Sequence, residues 1–153
     1  MREKVTVPSI KARKGGPKIS MVTAYDYPGA VIADRAGLDI VLVGDSAGTT
    51  VLGGDTTVPV SMEEMLVFTR AVVHGSDRAL VVSDMPFGSY QISEETAIAS
   101  AIRFVKDAGA DAVKLEGAGR TLTRISGIVE AGIPVMGHIG LTPQSATLLG
   151  GYK

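Results

Sequence analysis

The chain has 153 residues, 45% of them hydrophobic and 20% charged, with a net charge of -1 and no cysteine. That is enough for one domain with a real core. The balanced charge excludes both a nucleic-acid-binding basic stripe and an acidic disordered tract, and the lack of cysteine excludes disulfides, thiolate metal sites and a cysteine nucleophile.

Residues 1–17 form a polar N-terminal arm carrying Arg2, Lys4, Lys11, Arg13 and Lys14. It lacks the apolar core of a signal peptide, and no later run is long enough to span a bilayer. A cytoplasmic location without nucleic-acid or membrane partners is expected. Beyond the arm, five strand-length apolar runs alternate with helical segments. The first run is Ile19–Ala24. Asp26 with Pro28 then starts a helix that stops at Gly37. The second run is Asp39–Gly44, and it leads into the glycine-rich stretch Ala47–Asp55, expected as a surface or mobile loop rather than a phosphate-binding loop, because no Lys follows.

Ser61-Met-Glu-Glu64 is a capping-box pattern, and the helix it opens should end near Gly75, with His74 complementing the helix dipole. Ala79–Ser83 is the third run. Ser93 opens a helix to Gly109, with Ile98, Ala101, Ile102 and Val105 as its apolar stripe. Ala112–Glu116 is the fourth run, a helix within Thr121–Ala131 is weakened by Gly127, and Ile133–Gly137 is the fifth. Met62, Met65 and Met85 read as packing residues. Ala36-Gly-Leu-Asp39, Ala108-Gly-Ala-Asp111 and Ala131-Gly-Ile-Pro134 repeat one device: a glycine closes a helix and a strand begins at once.

This alternation predicts an α/β fold with a parallel sheet and helical crossovers. An open doubly wound sheet and a (β/α)8 barrel both fit it. The first strand–helix turn lacks the G-x-G-x-x-G fingerprint, which counts against a dinucleotide-binding sheet. A barrel needs eight strands and about 250 residues, so residues 1–153 are expected to be a single-domain N-terminal portion that supplies about the first five strands.

Ionisable residues gather at the C-terminal strand ends, where α/β folds bind ligands. They are Asp45 and Ser46, Asp84, Lys114 and Glu116, and His138. Lys114 and Glu116 are two apart and share one face of their strand, with Val113 and Leu115 on the other. Val41, Val43 and Asp45 are placed on one face by the same rule, as are Val82 and Asp84. Three converging carboxylates repel unless a cation sits among them, and oxygen ligands suit Mg2+ or Mn2+ better than Zn2+. Individually, Asp45 and Asp84 can be turn formers, Lys114 and Glu116 a lateral ion pair, and His138 a core histidine. Together they suggest one polar site.

The motifs Thr23-Ala-Tyr-Asp26, Val43-Gly-Asp-Ser46, Ser83-Asp-Met-Pro86, Val113-Lys-Leu-Glu-Gly117 and Gly137-His-Ile-Gly-Leu-Thr-Pro-Gln144 follow in this order. Five in register resemble the ketopantoate hydroxymethyltransferase family, part of the phosphoenolpyruvate/pyruvate-like barrel superfamily. The resemblance implies a barrel enzyme of pantothenate biosynthesis. It would transfer a hydroxymethyl group from 5,10-methylenetetrahydrofolate to 3-methyl-2-oxobutanoate, yielding 2-dehydropantoate.

By the same resemblance Asp45, Asp84 and Glu116 match the Mg2+ carboxylates. Asp45, Ser46, Asp84 and Lys114 match the keto-acid site, and Lys114 and His138 the catalytic groups. Large homo-oligomers, commonly decamers, are implied too. The family's general base, a glutamate on a later strand, is expected beyond Lys153, so the chain alone is expected to be inactive without a complementary one. The alternatives are another 2-keto-acid carbon–carbon lyase of the superfamily and an inactive or partner-dependent barrel fragment, which should expose apolar strand edges.

Overall fold

The computed structural model describes residues 3–151; Met1 and Arg2 of the expected arm, and Tyr152 and Lys153, lie outside the described residues. Five strands, β1 (Met21–Thr23), β2 (Ile40–Val43), β3 (Leu80–Asp84), β4 (Ala112–Glu116) and β5 (Val135–His138), form one parallel sheet in sequence order. The helices are α1 (Val7–Ala12), α2 (Tyr27–Arg35), α3 (Ala47–Thr50), α4 (Met62–Gly75), α5 (Glu94–Lys106), α6 (Arg120–Glu130) and α7 (Ala146–Leu149), with a 3-10 turn at Pro143–Ser145. The architecture is five consecutive strands of a (β/α)8 barrel. No helix among the described residues is long and apolar enough to cross a membrane.

Local chemistry sets the helix ends. Asp26 caps α2 through Gly29 N–H, Ser61 and Glu64 form a reciprocal box on α4, and Ser93 caps α5 through Thr96 N–H. The three helix-closing glycines, Gly37, Gly109 and Gly132, have φ of 83°, 79° and 89°, a conformation that a Cβ would strain. Gly127 does not end α6. It lets α5 come close, since a Cβ there would lie 2.6 Å from Glu94 Oε1.

Two apolar layers flank the sheet. The outer one packs Val41, Val43, Val81, Val113 and Leu115 with Met65, Ala101 and Phe104 of the helices. The inner one joins Ile40, Leu80, Val82 and Ala112 to Val5, Val7 and Ile10. Part of the expected arm is therefore helical: α1 is capped by Thr6 and sits against the N-terminal ends of the strands. Val5 N–H donates to Arg78 O at 2.8 Å, Arg13 pairs with Asp39 at 2.7 Å, and Lys4 with Asp111 at 2.8 Å.

Three readings of the sequence need correction. Val41 and Val43 face the helices, not the interior; Ile40 and Leu42 point inward with Val82. The stripe of α5 is turned: Ala97, Ala101 and Phe104 are buried, whereas Ile102 and Val105 are 43% and 38% exposed. Alanines allow the helix to approach the sheet closely, so the small residues take the contact face. That helix ends at Lys106 and is closed by the left-handed Gly109 as expected. The glycine-rich stretch opens with the helical turn α3, where Ala47 and Gly48 are buried, and only its remainder, residues 50–55, is exposed as a surface loop would be.

Candidate active site

The C-terminal strand ends bring Asp45, Asp84, Lys114, Glu116 and His138 to one mouth. Register explains four of them. Asp84 pairs with Lys114 across β3 and β4, and Glu116 with His138 across β4 and β5. Side chains on paired positions of parallel strands share a face. Asp45 arrives differently. β2 ends at Val43, and the chain turns at Gly44, so Asp45 escapes the strand alternation and bends inward. The turn is tight: a Cβ on Gly44 would lie 2.7 Å from Ser46 Oγ and 3.2 Å from Thr23 Cγ2, so both side chains would have to shift.

Asp45 and Asp84 are linked, with Asp45 N–H donating to Asp84 Oδ2 at 3.1 Å. Lys114 Nζ lies 3.1 Å from Asp84 Oδ1 and 3.8 Å from Glu116 Oε1, and it donates to His138 Nδ1 at 3.2 Å. His138 Nδ1 is also 3.4 Å from Glu116 Oε1. Ser46 Oγ stands apart from this cluster, hydrogen-bonded with Tyr25 Oη at 2.9 Å.

Burial dominates the electrostatics. It pushes the Asp84 carboxyl up to about 7, against the opposing pull of Lys114 and with a further push from Asp45. Asp45 is raised as well, first by burial, with Gln144 and Lys114 pulling it back. The contact from Lys114 to Asp84 Oδ1 is a charge contact without hydrogen-bond alignment. That oxygen is buried without a hydrogen bond.

Three residues outside the expected set complete the site. Gln144 Nε2 donates to Asp45 Oδ2 at 2.8 Å, and Gln144 N–H donates to Glu116 Oε2 at 3.1 Å. Tyr90 Oη donates to Gln144 Oε1 at 2.6 Å, and burial raises its hydroxyl well above the usual tyrosine range. Tyr25 holds Ser46. Tyr25 and Gln144 stand within the recognised motifs, but a role for a neutral side chain has no charge pattern to reveal it. Tyr90 lies in a loop with no local signal.

A parallel partial barrel with a buried acid–lysine cluster at its C-terminal mouth defines a class: enzymes of the (β/α)8-barrel fold that bind ligands at the strand ends. Superposition on 2,3-dimethylmalate lyase, a PEP mutase/isocitrate lyase superfamily member, gives a TM-score of 0.66 at 17% identity, covering 88% of this chain and 52% of that one. A phosphoenolpyruvate phosphomutase from Streptomyces platensis subsp. rosaceus gives 0.67 at 18% identity, over 86% and 53%. These similarities establish the fold.

Sequence narrows the class. The chain belongs to the ketopantoate hydroxymethyltransferase family, whose model matches residues 4–153. It is 59% identical to a 3-methyl-2-oxobutanoate hydroxymethyltransferase of Carboxydothermus hydrogenoformans over 99% of this chain and 55% of that protein. The corresponding Moorella thermoacetica protein is 56% identical, over 99% and 57%. The chain thus spans about half the length of the curated relatives it matches.

Proposed function

We propose that this chain supplies the metal- and keto-acid-binding half of a hydroxymethyltransferase that converts 3-methyl-2-oxobutanoate to 2-dehydropantoate, with 5,10-methylenetetrahydrofolate as one-carbon donor. The observation that carries the reading is the buried Asp45–Asp84 pair beside Lys114 at the strand ends, in a chain of this family.

The donor set fits Mg2+. Asp84 Oδ1 is a buried carboxylate oxygen without a hydrogen bond, the available donors are oxygens, and the carboxyls resist charging unless a cation balances them. No group of three or more His, Cys, Asp and Glu among the described residues is arranged to hold a metal, so the proposal rests on two carboxylates, with water or substrate oxygens in the remaining positions of the ion. Asp45 and Asp84 would be the direct ligands. Glu116, held by Gln144 and near Lys114, would act at the metal through water.

Bound there, Mg2+ would supply Lewis acidity toward the keto oxygen as the C3 proton leaves. Lys114 places a fixed positive charge where oxyanion character develops, and its own position is set by Asp84 and His138. Ser46, steadied by Tyr25, offers a hydroxyl to the substrate carboxylate. Asp45, Asp84 and Glu116 are each engaged in hydrogen bonds or ion pairs, so none is the free base. The proton acceptor is proposed beyond residue 153. The reading extends to pantothenate biosynthesis in the cytoplasm and to a homo-oligomeric, decameric assembly.

The test is product formation from the two substrates with Mg2+, using the chain alone and mixed with the C-terminal segment of the Carboxydothermus relative. Product that depends on the added segment, on folate and on Asp84 supports the proposal. Near-normal turnover by Asp84→Asn would overturn the metal role, and turnover of the keto acid without folate would point to a lyase instead.

A further inference from the structure

We propose that Gln144 is a positioning residue for the Asp45 carboxylate, and that Tyr90 sets the direction in which the Gln144 amide points. The inference rests on the reading of Asp45 as a divalent-cation ligand.

Asp45 lies past the end of β2, so the pleat of the strand does not aim its side chain. The donor to its side chain comes from the far side of the sheet. Gln144 is only 5% exposed, in the turn after β5. Its Nε2 donates to Asp45 Oδ2 at 2.8 Å and to Met85 O at 2.9 Å. Both amide hydrogens therefore have acceptors. On the other side of the amide, Oε1 accepts from Tyr90 Oη at 2.6 Å. Tyr90 Oη in turn accepts from Glu116 N–H at 3.3 Å; Glu116 O is a second acceptor for its single proton but lies at 3.4 Å, so the much shorter contact to Gln144 takes it.

Every bond in this chain runs one way, from the β4 backbone through Tyr90 and Gln144 to Asp45. A flipped amide would set Oε1 against two acceptors and would meet the Tyr90 proton with an NH2 group. The polarity is thus determined by the network. Thr57 also bears on the Asp45 carboxyl; with Oδ2 held by Gln144, Oδ1 would be the oxygen turned to a cation. Gln144 also steadies the second acidic neighbour, since its backbone N–H donates to Glu116 Oε2 at 3.1 Å. Groups that orient metal ligands in this manner typically change metal affinity ten- to a hundredfold when removed.

The experiment is Mn2+ binding to the 153-residue chain, read by electron paramagnetic resonance of the free ion. Thermal unfolding is recorded in parallel for the unaltered chain, Gln144→Leu, Gln144→Glu, Tyr90→Phe and the double variant Tyr90→Phe/Gln144→Leu. Gln144→Glu keeps the shape but turns an acceptor toward Asp45. The expected result is binding weakened about tenfold to a hundredfold in both Gln144 variants and by a smaller factor in Tyr90→Phe. The double variant should be no weaker than Gln144→Leu, because Tyr90 acts through the amide. A purely structural role would lower the unfolding temperature, leave Mn2+ affinity unchanged and make the effects add, and that overturns the inference. Tyr90→Phe keeps the question answerable if a Gln144 variant does not fold. Absence of Mn2+ binding in the unaltered chain removes the cation reading and this inference with it. Binding that is indifferent to Gln144 and Tyr90 removes this inference alone.

Discussion

Asp84 is the residue at which charge, burial and function meet. Its carboxyl is raised by burial to about 7, above the ordinary aspartate value of about 3.9 that the unfolded chain should show. A raised carboxyl in the folded state contributes stability below the unfolded value, and that contribution is lost as pH rises through the folded one. The metal-free chain should therefore lose stability between about pH 4 and pH 7 on this account. A cation that pairs with the ionised form reverses the trend, so the upward shift of Tm with Mg2+ should be larger at pH 8 than at pH 5. Differential scanning fluorimetry at the two pH values checks this, and Asp84→Asn should abolish the difference. Lys114 and Glu116 were legible from their spacing of two, because β4 runs unbroken beneath both. The inward turn of Asp45 was not. It depends on where β2 stops, at a Gly44 packed closely against the side chains of Ser46 and Thr23.

Elements follow their caps more faithfully than their stripes. Asp26, Ser61 and Ser93 each cap a helix as their sequence context implies, since a cap involves atoms three residues apart. The contact face of α5 is another matter. Ile102 and Val105 belong to its apolar pattern yet are exposed, while Phe104 is fully buried. Phe104→Ala should cost about 3–5 kcal/mol. Ile102→Ala on the same helix should change stability by less than about 1 kcal/mol, because little area is withdrawn from water there. Urea unfolding of the two variants measures the difference. Equal losses would mean that the face is misassigned.

At the scale of the whole sheet, two edges are open among the described residues: β1 is bonded only to β2 and β5 only to β4, and Met21 and Val22 of β1 are 48% and 40% exposed. Inside the curve, Ile40, Leu80, Val82, Ala112 and Met136 line an apolar cleft floored by Val7 and Ile10 of α1. Unpaired parallel edges beside apolar surface favour association. Sedimentation of the chain should show concentration-dependent self-association, and Met21→Lys should reduce it, at a stability change within about 0.5 kcal/mol for an exposed site. A monomer at all concentrations would count against the open edges as association surfaces.

Apart from the short helices α1, α3 and α7, which it did not, the sequence by itself determined the five strands with α2, α4, α5 and α6 between them, the parallel sheet, the caps of α2, α4 and α5, the left-handed glycines and the shared face of Lys114 and Glu116. Each of these depends on atoms within a few residues of one another, or on a pleat of period two. Only the tertiary structure decided that α1 floors the inner layer, that Val41 and Val43 face the helices, and that α5 presents Ala97, Ala101 and Phe104 to the sheet. It alone brought Gln144 to Asp45, 99 residues away in the chain. Such contacts come from packing between elements far apart in sequence, where local propensity has no information to give.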